Sequence, residues 1–276
     1  MSVAGATGKR IGGMHLEPVV RGLSKDRLSV MTNGTKIWGG GPFRMDPPTS
    51  LLDIDELESI EIIKGPYSVT RGPSSIAGTI NLVTKQPELS ANWYARGSVG
   101  ASYATNHDGW GTRATVSAGG PSLAFRLSGS YRDYQDYDSG DGERVLSGFQ
   151  SQSISGGLLW QPDAKHRIRV SMSRESDRDA RFGTLPLSLE EDDAYLGSVS
   201  YTITDPMESV ESLEFSAYYN YVHHRMNNEH KPTRGMMRVV FPLDARTFGG
   251  RLQANVPSFF GGRLTVGGDI YRLERE

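Results

Sequence analysis

From about residue 90 to the C-terminus, apolar and polar residues alternate one for one, the pattern of strands with one apolar and one polar face. In SLAFRLSGSYR, Leu123, Phe125, Leu127 and Tyr131 share one face, and Ser122, Arg126, Ser128, Ser130 and Arg132 the other. The pattern returns in Trp93, Ala95, Val99 and Ala101, in Ile168, Val170 and Met172, in Tyr195, Val199, Tyr201 and Ile203, and in Leu213, Phe215, Ala217, Tyr219 and Tyr221. About nine strands are predicted on this period. Short turns at 119–121, 161–166, 204–209 and 257–262 take turns with longer polar loops at 134–147, 175–192 and 225–243. That segregation of loop lengths predicts an antiparallel membrane barrel. A soluble sandwich also alternates but has less reason to sort its loops.

Residues 1–89 follow other rules. Short apolar strands, PVVRG, RLSVMTNG, SIEIIKG and GTINLVT, are separated by glycine and proline. They predict a small mixed α/β domain, dividing the chain into 1–89 and a barrel portion at 90–276. Composition agrees: 33 glycines, 12 tyrosines and a mean hydropathy of −0.44 suit strands of which only alternate residues meet lipid. No apolar run approaches the roughly 18 residues of a spanning helix. A net charge of −2 gives no reason to expect nucleic acid, and the absence of cysteine removes disulfides and thiolate ligands. The N-terminus shows no export signal. Neither a nucleophile triad nor a paired-carboxylate arrangement is identifiable, so no enzyme is expected. GATGKR fails the phosphate-loop spacing, and Asp133, Asp136, Asp138 and Asp141 fail the EF-hand spacing and read as a solvated outer loop.

The segment ESIEIIKGPYSVTRGPSSIAGTINLVTKQP, residues 58–87, resembles the second half of the plug domain of TonB-dependent outer-membrane transporters. Ile60-Glu61-Ile62-Ile63-Lys64-Gly65-Pro66 and Gly78-Thr79-Ile80-Asn81-Leu82-Val83-Thr84-Lys85 carry the match, with VVRGLSKDRLSVMTNG upstream. The resemblance implies an all-β barrel closed around a small α/β plug, located in the Gram-negative outer membrane and energised by TonB-ExbB-ExbD. Complete family members have about 22 strands, so roughly thirteen would follow Glu276, and this chain reads as a fragment. An export signal, a TonB-binding segment and the first part of the plug are likewise expected upstream.

Within that family, MHLEPVVRGLS and GPFRMDPP resemble the copper-importing branch. The resemblance implies a plug loop Cys-Pro-x-Arg-Met-Asp-Pro-Pro and a barrel His-x-Met, whose cysteine, methionines and histidine hold one copper ion. Pro42, Arg44, Met45, Asp46, Pro47 and Pro48 match the loop, but Gly41 stands at the cysteine position. Parity supplies the other half. With Leu213, Phe215, Ala217, Tyr219 and Tyr221 facing lipid, His224 and Met226 face the lumen, at the outer end of the seventh strand. The expected metal set is therefore Met45, His224 and Met226, thioethers and an imidazole that favour copper, especially Cu(I). Gly41, Met14, His15 and His223 are auxiliary positions, and Met236 and Met237 lie nearby. At each single residue the alternative is ordinary packing or solvation. Copper is the transported ligand in this reading, with no organic cofactor. Two alternatives stand beside it: a ferric-siderophore receptor using Trp38, Phe43 and Arg44, and a surface-binding barrel that transports nothing.

Overall fold

The computed structural model describes residues 3–41, 45–66, 75–257 and 262–276. Pro42, Phe43, Arg44 and most of the expected 257–262 turn lie outside them. The N-terminal part holds a hairpin of β1 (Ala6–Ile11) and β2 (His15–Val20), and a four-stranded sheet. The sheet comprises β3 (Leu28–Thr32), β4 (Thr35–Lys36), β5 (Leu57–Lys64) and β6 (Gly78–Thr84) in the order β4-β3-β6-β5, with β3 and β6 parallel. Asn33 and Gly34 both take positive φ, 49° and 82°, the condition of a tight two-residue hairpin turn between β3 and β4. The Asn33 side chain bonds Thr84 at both ends, locking the turn to β6. Gly78 has φ 126°, and a Cβ there would sit 2.0 Å from the Ile63 carbonyl oxygen, so the glycine that opens the second motif is sterically required. Val20, Leu28, Val30, Ile37, Leu52, Ala77, Ile80 and Leu82 form the core of this domain.

The remaining chain forms the wall of a barrel. Its strands are β7 (Tyr94–Ala104), β8 (Gly109–Gly119), β9 (Leu123–Tyr134), and, after a small hairpin of β10 (Tyr137–Asp138) and β11 (Arg144–Val145), β12 (Phe149–Trp160), β13 (His166–Arg178), β14 (Ser188–Met207), β15 (Val210–Asn227), β16 (Val240–Pro257) and β17 (Arg263–Arg275). Leaving out the β10–β11 hairpin, they make one nine-stranded antiparallel sheet in sequence order, each strand paired with its neighbour. The expected alternation holds across it. Cross-strand partners run Val116, Leu127, Gly156, Met172, Gly197, Tyr219 and Phe248 along the outer face. Every large side chain in that row is exposed. Among the described residues no helix is long and apolar enough to cross a membrane.

Two expectations about loops are corrected. Strands β13, β14 and β15 continue beyond the predicted ends, shrinking the loop expected at 175–192 to 179–187 and the one at 225–243 to 228–239. The residues added to β13, and most of those added to β14, are polar, yet they keep pairing, and the inward Leu189 and Met226 share an apolar cluster with Met14 and Met45 of the plug. Asp136 is not solvated either. It is buried, accepting from the Ser147 and Gly148 amides at 2.9 Å and pairing with Arg181 at 2.6 Å.

The plug sits against the inner face through an acidic edge. Asp53 pairs with Arg132 at 2.6 Å, Asp55 with Arg132 at 2.7 Å and Arg113 at 3.3 Å, and Glu56 with Arg126 at 3.1 Å. Higher up, Asn220 donates to the Lys36 carbonyl at 3.0 Å, and Leu196 of β14 joins the plug core.

Candidate metal centre

The loop from Trp38 to Pro48 is held by one carboxylate. Asp46 is fully buried and accepts from the Gly40 and Gly41 amides, folding the loop back on itself. Its backbone then lies against β15: a Cβ at Gly40 would be 2.7 Å from the Cβ of His224. Glycine is what allows that approach.

On the barrel side, His224 and Met226 both point inward, 1% and 0% exposed. His224 Nδ1 donates to Asp192 Oδ2 at 3.3 Å, its register partner on β14, which leaves Nε2 buried without a hydrogen-bond partner. The ligand atoms of Asp46, Asp192 and His224 all lie within 4.8 Å of one another. Met226 packs in one apolar cluster with Met45, Met14, Leu189 and Phe182. Leu189 reaches it because β14 carries a bulge between Leu189 and Glu191, which reverses the parity of the strand end.

The expected set is therefore brought to one place: Met45 and Met226 in the thioether cluster, and His224 on the same inner face two residues from Met226. Among the auxiliary positions, Gly41 borders the site, since a Cβ built there would lie 3.8 Å from His224 Cδ2 and 3.2 Å from Asp46 Oδ1. Met14 belongs to the thioether cluster. His15 is buried and donates from Nδ1 to the Met45 carbonyl at 3.2 Å. Burial, helped by the nearby His224, pushes its pKa down to about 4 despite that hydrogen bond, so the ring is neutral near pH 7. His223 does not join them. It faces the opposite way, both ring nitrogens taken by Asp244 at 3.0 Å and Glu191 at 3.3 Å. Met236 and Met237 are exposed on the outer loop, 90% and 66%. Trp38 stacks under Lys36 and Arg275, while Phe43 and Arg44 lie outside the described residues.

Sequence reasoning missed Asp192 and Phe182. Asp192 sits in an acidic run, EEDD, that reads as outer loop, and only the continued pairing of β14 with β15 turns its side chain inward. Phe182 lies on the 179–187 loop, which folds over the site. It is fully buried, its ring 5.5 Å from that of His15, and its carbonyl accepts from Lys231 of the neighbouring loop.

A plug domain docked against the inner face of a wall of antiparallel strands is the architecture of a TonB-dependent outer-membrane receptor. Residues 1–79 match the model of the TonB-dependent Receptor Plug Domain, and the nine strands behind them form barrel wall. The solved structure of the copper transporter OprC superposes with a TM-score of 0.88 at 27% identity, covering 98% of this chain and 42% of that one. By sequence, the vitamin B12 transporter BtuB of Vibrio vulnificus is 25% identical over 209 residues, and the ferric enterobactin receptor PirA of Pseudomonas aeruginosa 26% over 189. These alignments cover 71% and 57% of this chain but only 33% and 24% of the relatives, so the chain spans about a quarter to a third of their length.

Proposed function

We propose that this chain is the plug and leading barrel wall of an outer-membrane copper importer, with Met45, Met226 and His224 as ligands of the ion. The observation that carries the reading is the buried, unpartnered Nε2 of His224 on the same inner face as the buried thioether of Met226, with the half-buried Met45 packed against it. Thioethers are poor hydrogen-bond acceptors but good ligands for a soft ion, and a metal-bound histidine usually has its other ring nitrogen held by a carboxylate, as Nδ1 of His224 is by Asp192. The buried carboxylates of Asp46 and Asp192 lower the cost of placing a cation there. The likeness to OprC supports the same choice of cargo. In the complete protein, TonB with ExbB-ExbD acts on the plug to release the ion inward.

A ferric-siderophore receptor is the second reading, favoured by the relatives named for siderophores. Against it stands the burial of His224, Met226 and Asp46: a bulky chelate needs an open vestibule with exposed aromatic and basic contacts. Metal analysis of the purified full-length protein after growth in copper decides between them, with copper at one ion per chain expected and iron-chelate retention the opposing result. A surface-binding barrel without transport would take up copper equally well with and without TonB.

A further inference from the structure

Two histidines bury an Nε2 that has no hydrogen-bond partner, His224 and His15. His15, on β2 of the plug, is 1% exposed and also donates from Nδ1, in its case to the Met45 backbone carbonyl at 3.2 Å. With the proton on Nδ1, Nε2 of His15 carries a lone pair, and like His224 Nε2 it is buried without a hydrogen-bond partner. Removing an imidazole lone pair from water and giving it nothing in return is costly, and native proteins rarely tolerate it without a reason. The surroundings of the ring supply one. Its Nδ1 is hydrogen-bonded to the carbonyl of Met45, and its ring lies tilted at 5.5 Å from that of Phe182, a member of the thioether cluster.

We propose that His15 Nε2 is a further ligand of the same ion, supplying the donor that Gly41 does not. This rests on the reading of Met45, His224 and Met226 as a copper site. The coordination would then be two imidazoles and two thioethers, with His15 and Met45 from the plug and His224 and Met226 from the barrel. All four donors are uncharged, a set suited to a soft monovalent ion such as Cu(I) or Ag(I) rather than to a hard divalent one. Its charge is met by Asp46 and Asp192, which stand beside His224. Because the plug holds half of the ligands, any displacement of the plug takes apart the coordination without a separate release step.

The test uses the full-length protein purified in detergent and Cu(I) as the probe. X-ray absorption on the Cu(I)-loaded wild type counts imidazoles directly: two are expected, and one overturns the role of His15. Affinity by competition with a chromophoric Cu(I) chelator is measured in parallel for wild type, His15→Gln, His224→Gln and His15→Gln combined with Gly41→Cys. Each histidine variant is expected to weaken binding by about tenfold or more, and the added thiolate to restore the His15→Gln loss. Binding unchanged in His15→Gln but lost in His224→Gln sinks the His15 assignment and leaves the copper site standing. Wild type that binds no Cu(I) at all overturns the site reading itself.

Discussion

At the scale of single residues, the site turns on small differences in which atoms carry lone pairs. Replacing Met45 or Met226 by leucine keeps nearly the same volume and hydrophobicity, so the fold should lose no more than about 1.5 kcal/mol. Leucine offers no lone pair, however, and copper affinity in the complete protein should fall at least about tenfold for each. Affinities equal to wild type in a chelator competition would reduce both residues to packing. Two adjacent glycines should respond in opposite ways. Ala at Gly40 puts a methyl 2.7 Å from His224 Cβ, where the loop or the strand must move, and should weaken copper binding through displacement of the ring. Cys at Gly41 meets its nearest neighbours at 3.2 Å and 3.5 Å, a contact that asks for a few tenths of an ångström, and its thiolate should tighten binding. Chelator competition on the pair measures both, and a Gly41→Cys protein no tighter than wild type would argue that its side chain does not reach the ion.

At the scale of elements, two contacts decide what the plug and the outer loops can do. The acidic edge of the plug meets Arg113, Arg126 and Arg132 of β8 and β9. Burial alone would raise the pKa of Asp53, but hydrogen bonds from Arg132 and Ser130 outweigh it and hold the carboxyl below its ordinary value. A depressed native pKa means that its contribution is complete above the free value of about 3.9 and is lost as pH falls through the lower native one. Protection of β6 amides from hydrogen exchange should therefore drop over that acidic window, and the drop attributable to Asp53 should vanish in Asp53→Asn. An identical pH profile in the variant would remove Asp53 from the seam's energetics. Above the site, the 179–187 loop is tied on both sides, by Arg181 to Asp136 and by the Phe182 carbonyl to Lys231. Truncating Phe182 to alanine removes a fully buried ring, at a cost of about 3 kcal/mol or more, and opens the cluster to water. Copper release to a chelator should become faster, and an unchanged release rate would show that the loop does not cover the ion.

At the scale of the whole molecule, one face of the nine-stranded sheet is an apolar belt. Leu127, Ile154, Met172, Phe215, Tyr219, Leu252 and Ile270 are all at least half exposed on it. An apolar face of this breadth, together with unpaired edges at β7 and β17, is not compatible with a dispersed state in water. Residues 1–276 expressed without detergent should aggregate and become dispersed in detergent micelles. A monodisperse, cooperatively unfolding monomer in plain buffer would contradict the membrane reading of the belt.

Much of this was legible along the chain, because a strand imposes a period of two on its side chains whatever it packs against. That rule alone put His224 and Met226 on the inner face and Phe215 and Tyr219 on the outer. The Asn33-Gly34 turn and Gly78 rest on a related rule, since few residues accept their backbone angles. What no local rule contains is where pairing stops and what lies across the lumen. Strands β13 to β15 run on through mostly polar residues with the plug across their inner face, and a single bulge in β14 turns Leu189 inward beside Met226. The pairing of His224 with Asp192, the buried, unpartnered Nε2 of His15 and the ring of Phe182 above them join segments far apart in sequence. Only tertiary structure decided them, because burial and an unmet hydrogen bond are properties of an assembled neighbourhood and leave no mark on the residues that share it.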